Sequence, residues 1–158
     1  MSDDPTMAEI MAAVALLHGG DRHGARNRLE AVWSRIANDP EPIHECVLSH
    51  YLADTQDDIH DELGWDIRAL NAALRCTDAE SHGNRQALPI ASFLPSLHAN
   101  LAEDYFKLGE LERSKEHLAY ARSHISNLAD DPYGRMVRGG VERLAKRLQA
   151  HEQTDGAV

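Results

Sequence analysis

Apolar residues recur along this chain at the spacing of an α-helix, and no stretch sustains the strict alternation of a strand. A first helix opens near Pro5 and runs to about Leu17 and His18, where Gly19-Gly20 supplies the left-handed ending that helices favour. Asp21 caps a second, with Ala25, Leu29, Val32, Trp33 and Ile36 on its stripe. Asn38-Asp39-Pro40 stops it, because proline removes a donor and biases its predecessor away from the helical region. Pro42 begins a third helix through Val47, Leu48, Tyr51 and Leu52. Asp57 or Asp58 caps a fourth, with Leu63, Ile67, Leu70 and Ala73 expected inward and Trp65 beside them.

The period breaks from Thr77 to Ser92, a connection longer than usual between helices. Its later part is apolar, and Leu88, Ile90, Phe93 and Leu94 are expected to bury. Pro95 lies in the first turn of a fifth helix, and a sixth follows Gly109. Asp130-Asp131-Pro132 signals a seventh, striped by Val137, Val141, Leu144 and Leu148. The expectation is one all-α domain over residues 1–152, with a polar, disordered tail at 153–158.

Residues 97–121 carry the clearest pattern: Leu97, Leu101, Tyr105 and Leu108, a glycine, then Leu111, Ser114, Leu118 and Ala121. Asn100-Leu101-Ala102, Tyr105, Gly109, Ser114, Leu118 and Ala121 resemble the spacing of a tetratricopeptide repeat (TPR), a helical hairpin that stacks at about 34-residue intervals. Weaker copies cover about 6–39 (Ala13, Gly20, Ala25, Leu29, Val32) and 42–76. The middle copy lacks a turn glycine, and its turn is expected to carry an extra residue. The resemblance implies a right-handed α-α superhelix of three TPR-like hairpins (about 6–39, 42–76 and 94–127). Helix 132–151 would cap the last.

It also implies a function. The first helix of each hairpin would line a groove for a protein or peptide segment, formed by Met7, Ile10, Met11, Val14, Asn100, Glu103, Phe106 and Lys107. Asn100 and Lys107 look like half of a carboxylate clamp, but the first helix offers apolar residues where the other half belongs. An apolar or basic partner therefore fits better than a charged C-terminus. The alternative is self-association, a homodimer through that same apolar helix.

Charge changes the picture in one window. The net charge is −10, and between Arg35 and Arg68 nine acids occur with no Lys or Arg. Outside it, 17 acids face all 16 bases; such a field disfavours nucleic acid and fits either the steering of a basic partner or a solvated acidic face that keeps the protein soluble. Two cysteines, an acidic N-terminus and no apolar run long enough for a bilayer suggest a cytoplasmic protein, off the membrane. The excess of Arg over Lys fits a GC-rich bacterial source.

Candidate chemistry is sparse. His44, Cys46 and His50 make a metal-like cluster, but no second ligand pair lies nearby, and ten scattered histidines make chance the simpler account. The run from Asp54 to Glu62 starts like a calcium loop, yet holds Ile59 at the glycine position and Trp65 at the final Glu. Gly139-Gly140 is expected to interrupt a helix or admit close packing. With no nucleophile, phosphate or dinucleotide motif, neither an enzyme, a metal nor a cofactor is expected.

Overall fold

The structure is a computed structural model that describes residues 3–81 and 90–155. Among these, every regular element is helical: α1 (Pro5–His18), α2 (Arg22–Ile36), α3 (Pro42–Ala53), α4 (Ile59–Ser81), α5 (Leu94–Lys107), α6 (Leu111–Ser123) and α7 (Pro132–Asp155), with short 3₁₀ turns at Ile90–Ser92 and Ile125–Asn127. The caps are chemical. Asp4, Asp21 and Asp131 each accept a hydrogen bond from the backbone N–H three residues on, at 2.9, 2.9 and 2.7 Å. Asp58 accepts from the His60 and Asp61 amides at the start of α4.

The chain divides into two compact units, residues 1–88 and 89–158. In the first, α1 pairs with α2 and α3 with α4. One core joins Ile10, Ala13 and Val14 of α1 to Leu29 and Val32 of α2 and to Val47, Leu48 and Leu52 of α3. In the second, α5 pairs with α6 and both carry α7. There Ala102, Leu118 and Ala121 meet Val137, Val141, Leu144 and Leu148.

Two hairpin turns depend on glycine. Gly20 and Gly109 have φ of +95° and +76°, a region that a Cβ makes costly. Both turns are tight, at residues 19–21 and 108–110, while the α3–α4 turn spans 54–58 and manages without a left-handed residue. Arg22 braces that longer turn, donating to the Gln56 carbonyl and pairing with Asp57, both at 2.6 Å. The small residues fall where helices cross. Ala13 and Ala25 are fully buried, and the Ser114 hydroxyl donates to the Ala102 carbonyl across α5 and α6 at 2.7 Å.

Three expectations shift. Of the residues expected on the inward face of α4, Ala73 is buried, Leu63 and Leu70 are half-buried and Ile67 is exposed; the packed face is Asp66, Ala69, Ala72, Ala73 and Cys76. Alanines let α3 approach closely, so size sets the packed face where hydrophobicity alone suggests another. Helix α4 also continues past Thr77 into the expected loop, and α7 continues to Asp155. Ile90 and Leu94 bury as expected, whereas Leu88 lies outside the described residues. Gly139-Gly140 neither breaks α7 nor packs tightly, since a Cβ there would meet only the Arg143 side chain. The glycine that packing requires is Gly134, where a Cβ would stand 2.0 Å from the Ala129 carbonyl oxygen.

Candidate functional site

The residues expected to line a groove have different fates. Ile10 and Val14 are sealed in the first core with Leu29 and Leu48 and offer no surface to a ligand. Met7 is half-buried against that core, which leaves Met11, 46% exposed, as the open apolar residue of the four on α1. In the second unit, α7 meets two of the four α5 positions, Glu103 and Phe106. Arg147 donates to both carboxylate oxygens of Glu103, at 2.8 and 3.0 Å, and lays its guanidinium 4.6 Å from the centre of the Phe106 ring. The His151 ring meets the Phe106 ring nearly edge-on, at 6.2 Å between centroids. Phe106 is thus a contact between helices rather than a free platform. Asn100 is half-buried and Lys107 exposed.

The sequence cluster at His44, Cys46 and His50 disperses by bonding. His44 Nε2 stands 2.7 Å from an Asp4 oxygen, joining α3 to the cap of α1. Burial, with the neighbouring Cys76 and Glu45 adding to it, pushes the Cys46 thiol up to about 12, so it is no thiolate at neutral pH. Burial also lowers His50 to about 4, and its ring packs against Tyr51 at 4.8 Å.

Part of the acidic window is neutralised by arginines outside it. Glu45, almost wholly buried, receives hydrogen bonds from Arg68 (3.2 Å) and from Arg75. The Arg68 guanidinium lies over both tryptophans, 4.8 Å from Trp33 and 5.5 Å from Trp65, which meet edge to face at 5.6 Å. The hydrogen bond from Arg22 holds the Asp57 carboxyl below the usual carboxylate range.

On the other unit, aromatic side chains of α5, α6 and the His124 position that follows α6 gather in a group that the sequence did not announce. His98 and His117 face each other with their Nδ1 atoms 3.1 Å apart. Tyr120 stacks on His98 at 5.1 Å, His124 lies parallel to it at 6.0 Å, and Tyr105 stacks on His117 at 5.5 Å. Arg113 sits over the outer side of this group, 5.6 Å from the Tyr105 ring. Burial, then the neighbouring His117 and His124, lowers His98 to about 4, and burial likewise lowers His117. Histidines 19 residues apart on different helices leave no local spacing to read.

No family model, no curated protein and no solved structure matches this chain.

Large apolar side chains remain on helix surfaces. On α4, Leu63 and Leu70 are half-buried, while Ile67 and Leu74 are 38% and 51% exposed, so four apolar residues continue along one side. Tyr120, Tyr133 and Met136 are exposed on the second unit. A shallow depression between α1 and α2 is lined by Glu9, Ala12, Arg28, Ala31 and Val32. Among the described residues, no helix is long and apolar enough to cross a membrane.

Proposed function

We propose that this chain is a non-catalytic module of TPR-like hairpins that binds a protein or peptide segment through helix surfaces. The observation that carries the reading is the row Leu63, Ile67, Leu70 and Leu74 along α4, apolar yet left partly in water. Small residues at the hairpin crossings and left-handed glycines in two turns support the TPR-like part. The polar groups argue against chemistry in a different way: Glu45, His44, Asp57 and Glu103 are engaged in holding helices together. A segment with an apolar face would displace water from this row, and the remaining exposed acids would favour basic flanks.

A photoreactive side chain at Leu74, activated in a cell extract, tests the reading. A discrete protein adduct, lost when Ile67→Glu is added, is expected. No adduct beyond that formed by the same group at Glu142 overturns it. Self-association is the second reading, favoured by the exposure of Met11. It is distinguished by a dimer in light scattering that Met11→Glu abolishes.

A further inference from the structure

Helix α1 carries one Asp, Glu, Lys or Arg side chain over about four turns, that of Glu9. Its outward residues Ala8, Met11, Ala12 and Ala15 recur at helical spacing and are all exposed, Met11 by 46% in the middle. Helix α3 is as poor in charge, but it is buried along nearly its whole length, whereas α1 leaves its uncharged face in water. Beside that face, the depression between α1 and α2 combines the apolar Ala12, Ala31 and Val32 with Glu9 and Arg28. Glu9 pairs with Arg35 through one carboxylate oxygen, and Arg28 has no acid partner among the described residues. An apolar centre with both signs of charge along one edge is complementary to itself under a twofold rotation. We propose that this face seats a second copy of the chain, the two α1 helices packing antiparallel about a twofold axis beside Met11 and Ala12. The proposal rests on the self-association reading above and gives it a direction and a register.

The twofold sets Ala8 opposite Ala15 of the other copy and Met11 opposite Ala12, so small side chains let the helix axes approach to about 8 Å. In an antiparallel pair, the edge that bears Glu9 meets the same edge of the other copy. Ala12 and Arg28 stand eight residues to either side of Gly20, so the hairpin holds them level, and Glu9 lies about one turn further along α1. Rotation about Met11 and Ala12 therefore brings Glu9 of each copy towards Arg28 of the other. A parallel pair would instead set the Met11 edge against the Glu9 edge and leave Arg28 without an acid. The chain as a whole has a net charge of −10, and this face is one on which two copies meet without stacking like charges. It is a small face, so the dimer is weak, with a dissociation constant of about 10–100 μM.

The test is sedimentation equilibrium of the full chain up to about 500 μM, with cysteine cross-linking by diamide to read the register. A reversible dimer is expected. Ala8→Cys mixed with Ala15→Cys should give a disulfide-linked dimer, neither variant should do so alone, and wild type, whose Cys46 and Cys76 are buried, sets the background. Arg28→Glu should weaken the dimer at least about fivefold, and adding Glu9→Lys should restore it. The substituted positions are exposed, and circular dichroism checks that each variant keeps its helices. A chain that stays monomeric at the highest concentration overturns both the proposal and the self-association reading, leaving the face to a foreign apolar segment. A dimer that cross-links through position 8 alone, or that Arg28→Glu leaves unchanged, keeps self-association and overturns this interface.

Discussion

Acid should loosen the first unit through His50. This imidazole lies in α3 and is lowered from 6.5 to about 4 by burial, the only cause acting on it. An unfolded chain returns the group to water and to its ordinary value, so between pH 6.5 and 4 the unfolded state binds more protons than the folded one. Stability is therefore intact above about pH 7 and falls as the solution is acidified through the unfolded value. At pH 5 the loss from this one group is about 2 kcal/mol, approaching about 3.4 kcal/mol below pH 4.

The assay is urea unfolding followed by tryptophan fluorescence, at pH 7.5 and pH 5.0, with a chelator present. Both tryptophans, Trp33 and Trp65, lie in the same unit as His50. His98 shifts in the same direction, so wild-type sensitivity is not due to His50 alone. The decisive quantity is the difference between wild type and His50→Gln, which should lose about 2 kcal/mol less on acidification. Equal losses in the two proteins, within about 0.5 kcal/mol, would refute the desolvation argument.

Other outcomes follow from packing. Arg68→Ala removes a guanidinium from two tryptophan faces and a partner from buried Glu45; it should cost about 1–2 kcal/mol in chemical unfolding and alter tryptophan emission. Ser114→Ala should lower stability by about 1 kcal/mol by removing the hydroxyl that ties α6 to the Ala102 carbonyl of α5, and Ser114→Leu by about 1–3 kcal/mol through overpacking, both read by circular dichroism melts. Gly134→Ala should shift or fray the start of α7, seen as faster amide exchange over 132–138, while Gly140→Ala, with only the Arg143 side chain near, should be neutral or slightly stabilising.

How far the sequence reaches depends on the range of the interaction. Hairpin ends were legible because Asp21, Gly20, Gly109 and Pro132 act on their own backbone neighbours. The stripe of α7 was legible because one uninterrupted period points to one core. Helix α4 was misread because it has two apolar faces, one of large residues and one of alanines, and periodicity follows the larger side chains. The groove assignments failed to anticipate contacts from later helices. Phe106 and Glu103 are covered by Arg147, 44 residues from Glu103, and α3 supplies part of the core that seals Ile10 and Val14. The histidine group was invisible for the same reason, its members being ordinary polar residues until α5 and α6 fold together.

Asp4 gives the first unit an unusual dependence on its leading residues. One carboxyl oxygen accepts from the Met7 amide, and the other meets His44. A cleavage or fusion that perturbs the chain ahead of Pro5 would therefore be felt 40 residues away, in the footing of α3 as well as in the first turn of α1. For anyone attaching a label or a partner, the two ends of this chain are not equivalent: the side chain of Asp4 is a fastening, whereas Thr154 near the opposite end bonds only to its own helix.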